Sequence, residues 1–275
     1  MRLYERLQSL HPGASRRRLK RWLEASRVRV NGVIARRGDV DVAVDDRIEL
    51  TTPPPPACPP PLRLVHEDAD ILVVDKPSGL LTIATERERE RTAYRLLRDW
   101  VAARGTASSR LFIVHRLDRE TSGLIVFAKS AGAKQRLQAQ FAARAVERVY
   151  VALVEGQIRQ AQGTMTSRLI EDRALHVRTT DRRAGKEAIT RYRVLERRRD
   201  GTLLEVELVT GRRAQIRAQL AAAGHPIAGD AAYGSRTDPL GRVALHATRL
   251  AFAHPRGGRL SFDSPAPAAL GRRRA

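Results

Sequence analysis

A chain of 275 residues, 42% of them hydrophobic, is long enough for one catalytic domain and a small accessory one. Lysine and arginine number 51 against 30 acidic residues, a formal net charge of +21 with a sequence pI of about 11.4, so the surface is cationic and suits nucleic acid or an anionic membrane. No apolar run reaches membrane-spanning length, and Met1-Arg2-Leu3-Tyr4-Glu5-Arg6 opens no signal-peptide core, which sets the membrane aside.

The first 50 residues read as one small α/β module. Leu3, Leu7 and Leu10, then Leu19, Trp22 and Leu23, recur at helical spacing on either side of Pro12-Gly13 and predict two short amphipathic helices. Val28 to Ile34 predicts a hairpin turning on Asn31-Gly32, and Asp41 to Leu50 a last alternating strand. Charge is segregated, with basic residues crowded between Ala14 and Arg37 and acids between Asp39 and Leu50. A solvated helix face normally mixes signs, whereas a one-sign basic face is the footprint of phosphate contact. Arg16, Arg17, Lys20, Arg21 and Arg29 are therefore candidate RNA contacts. Residues 51–61, proline-rich throughout, predict a semi-rigid polyproline spacer before a second domain at 62–270. The one cysteine, Cys58, excludes an internal disulfide, suits a reducing, cytoplasmic setting and reads as an exposed linker thiol.

Beyond the spacer, strands and helices mix in an α+β pattern. Leu62 to His66 and Ile71 to Asp75 predict strands, Glu86 to Arg91 a solvated loop, and Leu96, Leu97, Trp100 and Val101 an amphipathic helix. Leu137 and Phe141 mark another helix, leading to a strand that holds Tyr150. Tyr192 to Leu195 and Leu203 to Val209 flank Asp200-Gly201 as a hairpin. A helix is predicted from about Arg212, with Ile216, Leu220 and Ala223 on its apolar stripe, Gly224 as its cap, and Arg213 and Arg217 on one face. Residues 271–275 read as a disordered tail. The seven histidines lack metal-ligand spacing and Gly224, Gly229 and Gly234 form no phosphate loop, so neither a metal nor a nucleotide cofactor is expected.

The segment His115-Arg116-Leu117-Asp118-Arg119-Glu120-Thr121-Ser122-Gly123 sets a short carboxylate between two arginines, with apolar runs entering at Leu111 to Val114 and leaving at Leu124 to Ala128. Such a loop on rigid strands is where reactive groups are placed, and the cations would keep Asp118 ionised as a nucleophile or proton acceptor; an aspartate there also serves as a turn former or ion-pair partner. This segment resembles the signature of the RluA-type pseudouridine synthases, and weaker matches follow in that family's order. They are Asp75-Lys76-Pro77-Ser78-Gly79-Leu80, Arg148 to Gly156, Thr210 to Arg217, Gly224 to Asp230 with Tyr233-Gly234, and Leu245-His246-Ala247 with His254-Pro255. The resemblance runs from about residue 62 to 267. The first module resembles, through its V-x-V-N-G hairpin, the S-four-type RNA-binding domain.

The resemblance implies a pseudouridine synthase fold, a largely antiparallel mixed sheet flanked by helices and loops. It also implies isomerisation of uridine to pseudouridine, which needs a flipped nucleotide and no cofactor. Asp118 would be the catalytic carboxylate, Tyr150 the ring against the base, Arg217 the partner that lowers the Asp118 pKa, and Arg116 the residue taking the space of the flipped nucleotide. Lys76 would touch a phosphate or merely mark a Lys-Pro turn. The family carries histidine where Ala214 and often Gln219 stand, so atypical RNA contacts near the site or an atypical substrate preference are expected. Large-subunit ribosomal RNA is the expected substrate and a monomer the expected form. Transfer RNA, a non-catalytic assembly factor, and a hydrolase using Asp118 with Glu120 are the alternatives.

Overall fold

The computed structural model describes residues 1–51, 57–86, 88–104, 110–172 and 176–270. The heart of the expected spacer, 52–56, and the tail at 271–275 lie outside the described residues. The chain divides into two compact units, Met1–Ala57 and Cys58–Ala275. Among the described residues no helix is long and apolar enough to cross a membrane.

In the first unit, α1 (Leu3–Leu10) and α2 (Arg16–Glu24) bury Leu3, Leu7, Leu19, Trp22 and Leu23 against a small antiparallel sheet of order β2-β1-β3. The Ser15 side chain caps α2 by accepting from the Arg18 amide. Strands β1 (Val28–Val30) and β2 (Val33–Ala35) turn on Asn31 and Gly32, whose φ of 52° and 82° suit the mirror-image turn that matches strand twist. The last strand, β3 (Ile48–Leu50), is shorter than the alternation from Asp41 suggested. Asp46 instead accepts from the Ala43 amide and the Asn31 side chain, a local turn that competes with strand pairing. Arg16, Arg17, Lys20 and Arg21 are exposed on α2. Arg29 is half-buried and donates back to the Gly32 carbonyl at 2.5 Å.

The second unit opens with the antiparallel pair β4 (Arg63–Glu67) and β5 (Ile71–Lys76), followed by α3 (Ala93–Ala103), β6 (Phe112–Ile113), β7 (Ser122–Ala128) and α4 (Ala131–Ala142). Then come β8 (Glu147–Glu155), β9 (Gln162–Glu171), β10 (Val177–Thr180), β11 (Lys186–Arg198), β12 (Gly201–Leu208), α5 (Gln215–Ala222), β13 (Leu245–Ala253) and β14 (Arg259–Asp263). One sheet runs β10-β9-β11-β12-β8-β13-β7-β5-β4, with β14 on β13 and β6 on β7, and only the β13–β7 pair is parallel. Ile71 to Val74 of β5 and Leu124 to Ala128 of β7 read as unbroken apolar runs because both sheet faces are covered. Leu72, Val74, Ile125 and Phe127 enter one core with α3, while Ile71, Val73, Leu124 and Val126 enter a second with Leu137 of α4. Cys58 is half-buried against the first core, not an exposed linker thiol, and burial pushes its pKa up. The α5 helix begins at Gln215, so Arg213 precedes it and pairs with Glu171 instead of sharing a helical face with Arg217.

Candidate active site

The loop between β6 and β7 carries Asp118 and is clamped by the segment after β5. Lys76 is fully buried, and its ammonium donates to the carbonyls of Pro77 at 2.9 Å, Leu80 at 2.8 Å and Arg119 at 3.3 Å. Gly79 and Arg119 exchange two bonds, Ser78 donates to the Glu120 carbonyl at 2.6 Å, and Thr82 both donates to the Leu117 carbonyl and accepts from its amide. On the Asp118 loop the backbone groups so held belong to Leu117, Arg119 and Glu120, which leaves the Asp118 side chain to project from a fixed frame. Lys76 is therefore neither a phosphate contact nor mere punctuation. Burial brings its pKa down to about 7, against the attraction of Asp118 and Glu120.

On the other side the loop enters β7 through Gly123, whose φ is 111°. A Cβ there would sit 2.2 Å from the Ala247 carbonyl oxygen, so only glycine lets β7 pair in parallel with β13. Ser122 and His246, opposite each other in that register, are joined at 2.8 Å and buried.

Asp118 faces a cavity of about 460 Å³, a volume suited to a small ligand or one nucleotide. It is the only carboxylate among the lining residues, which include Arg116, Arg144, Arg148, Arg212, Arg213 and Arg217. Tyr150, from β8, and Ala214 also line it. Tyr150 is 6% exposed and burial pushes its phenol up to about 12, so it is neutral. Arg148, two residues earlier, is 8% exposed and donates to the carbonyls of Leu208 and Val209. Its guanidinium lies over Phe141, which also stacks on the His115 ring with centroids 4.6 Å apart. Burial, helped by Arg148, brings His115 down to about 3 and keeps it uncharged. Arg116 is exposed at the rim.

Arg217 pairs with Asp118 as an ion pair and not through a hydrogen bond. Its Nε and Nη2 form a fork on Asp230, both at 2.7 Å, and its guanidinium covers the Tyr233 ring at 4.8 Å. The remaining nitrogen, Nη1, donates to Glu120 at 3.0 Å and lies 3.9 Å from Asp118. Burial opposes the Arg217 charge, but Asp230, Glu120 and Asp118 hold its pKa above the usual arginine value. No described residue donates a hydrogen bond to the Asp118 carboxylate. Its pKa lies above the ordinary aspartate value because burial outweighs Arg217 and Arg116, the reverse of the expected lowering. Gln219, expected near RNA, is instead buried and bonded to Thr190, Met165, Ser167 and Ala188.

Asp230 and Arg148 are site residues that sequence reasoning left without roles, and Glu120 had one only as the second acid of a hydrolase. Asp230 ends the segment Gly224 to Asp230, and a buried acid beside a required arginine is a partner that only tertiary geometry identifies. Asp68, Asp70 and His254 form the one group of three metal-capable side chains among the described residues, and none lines the cavity. Asp70 is paired with Arg256, and Asp68 with His66 and two backbone amides.

Residues 70–222 match the family profile described as RNA pseudouridylate synthase. A Bacillus subtilis protein described as an uncharacterized RNA pseudouridine synthase, YlyB, is 36% identical, covering 92% of this chain and 86% of that protein. A Haemophilus ducreyi protein named ribosomal large subunit pseudouridine synthase D is 34% identical over 97% of this chain and 88% of its own. The fold of human RNA pseudouridylate synthase domain containing 4 superposes with a TM-score of 0.62 at 23% identity, covering 74% of this chain and 88% of the human one.

Proposed function

Because the chain belongs to the RNA pseudouridylate synthase family and is an RNA pseudouridine synthase, we propose that it isomerises uridine in large-subunit ribosomal RNA, with Asp118 as the catalytic carboxylate. The observation that carries the residue assignment is a lone carboxylate in an arginine-lined cavity, held by a clamped loop and free of protein donors. The net reaction breaks the bond from ribose C1′ to uracil N1 and forms one from C1′ to C5, while C5 loses a proton and N1 gains one. A nucleotide turned out of its stack fits such a pocket. Arg116 at the rim would fill the space it leaves, and Arg144 and Arg212 would meet the flanking phosphates. Tyr150 would support the detached uracil with its ring, and neutral His115 and Phe141 extend that wall without adding charge.

The first unit supplies affinity in this reading, through an S-four-type RNA-binding role. The exposed Arg16, Arg17, Lys20 and Arg21 on one helix support it. The ribosomal substrate is supported by the names of the relatives that align along nearly the whole chain. Incubating the protein separately with large-subunit ribosomal and transfer RNA transcripts, then mapping pseudouridine, tests the proposal. Product in ribosomal RNA is expected; product confined to transfer RNA refutes the substrate, and no product in either refutes the activity.

A further inference from the structure

The guanidinium of Arg217 serves three carboxylates unequally. Its fork on Asp230, a residue 1% exposed, and the Tyr233 ring fix its plane. Only Nη1 is left for the loop, where Glu120 takes a true hydrogen bond at 3.0 Å and Asp118 lies beyond that range at 3.9 Å. Both carboxylates project from a held backbone, since Ser78 donates to the Glu120 carbonyl and the Thr121 amide to the Asp118 carbonyl at 3.2 Å. We propose that Glu120 is a positioning residue that keeps the Nη1 donor of Arg217 off the Asp118 carboxylate, an inference that rests on Asp118 being the reactive group.

A charge-assisted bond from Nη1 would occupy a lone pair of Asp118 and make the carboxylate less basic and less nucleophilic. With Nη1 engaged by Glu120, Asp118 feels the arginine's field and keeps its lone pairs for substrate. Glu120 also adds like charge, which favours proton uptake by Asp118. The other groups facing Asp118 are Arg116 on its own loop, Arg213 before α5, Lys76 at the end of β5, and the neutral phenols Tyr150 on β8 and Tyr233 after Asp230. Replacing Glu120 removes none of them, and its like charge is lost equally in an alanine and a glutamine variant, so the difference between those two variants reports on Nη1.

The test is a carboxyl-carbon NMR titration of the full chain, with the Asp118 signal assigned by its loss in Asp118→Asn, run beside single-turnover pH–rate profiles. In Glu120→Ala the Asp118 midpoint is expected to fall by about one pH unit as Nη1 closes on it. Glu120→Gln, which can still accept from Nη1, should show a smaller fall. The acid limb of the rate should follow the midpoint down in both variants, while the plateau rate drops. A midpoint that is unmoved or raised in Glu120→Ala overturns the proposal, and so does loss of all turnover with an unmoved midpoint, which makes Glu120 a reactive acid itself. Equal falls in Glu120→Ala and Glu120→Gln report the lost charge alone and also overturn the positioning role, whereas product formation by Asp118→Asn refutes the reading on which the proposal rests.

Discussion

Asp118 is a carboxylate that the fold makes costly to ionise, and its consequences run in a definite direction. A raised pKa means the folded state binds a proton more tightly than the unfolded chain, so ionisation penalises folding, and the penalty is complete once pH exceeds the folded pKa. Asp118→Asn should therefore melt at the same or a higher temperature than the parent at pH 8, with the difference vanishing below about pH 4. Its RNA affinity should be retained and single-turnover pseudouridine formation abolished; substantial product from this variant would move the catalytic role elsewhere. Replacing Arg217 acts oppositely on the site. Arg217→Met removes the charge that opposes burial, so the Asp118 pKa should rise further and the acid limb of the rate should move to higher pH. It also strands a buried Asp230, costing about 3–5 kcal/mol in urea unfolding. Arg217→Lys should recover part of the charge effect but not the fork.

At the scale of elements, the Asp118 loop is held by two devices that different sequence motifs contribute. Lys76→Met would leave the carbonyls of Pro77, Leu80 and Arg119 without their common donor, at about 2–4 kcal/mol, and hydrogen exchange at residues 117–121 should accelerate. The Lys76 pKa falls from an ordinary lysine value to about 7, so its charge destabilises the fold fully below pH 7 and ceases to do so as pH approaches 10. The stability of the parent relative to Lys76→Met should therefore grow between pH 7 and pH 10, as measured by unfolding at each pH. Gly123→Ala attacks the second device. Its Cβ would strike the Ala247 carbonyl while its φ stays strained, so a loss of about 3 kcal/mol or more and poor soluble yield are expected. The same pairing explains why the motif around Leu245-His246-Ala247 accompanies the one around Asp118: the two segments are adjacent strands.

For the whole molecule, the +21 charge predicts binding to RNA that weakens steeply with salt. If the first unit supplies much of that affinity, a chain beginning at Cys58 should still modify a short stem-loop at high concentration. It should bind long RNA more weakly, with a shallower dependence of log affinity on log salt. Filter binding from low to high salt would show this, and an unchanged slope would remove the RNA-binding role from residues 1–57.

The sequence by itself determined the class of partner, the order of elements and the segment on which the chemistry is proposed to turn. Charge balance, apolar periodicity and turn residues act locally or sum over the chain, so they survive without a fold. The α+β mixture, the helices at Leu97 and Leu137, and the Asn31-Gly32 hairpin were legible for that reason. Tertiary structure alone decided which charge answers which. Asp230 lies 13 residues from Arg217, and Glu120 lies 97 residues from it; no periodicity encodes either pairing. The same holds for burial, which turned Lys76 from a candidate phosphate contact into a clamp and raised the Asp118 pKa that its flanking arginines suggested would fall. The energy of a charge depends on the dielectric around it and on the donors within about 3 Å, and both are properties of the packed chain.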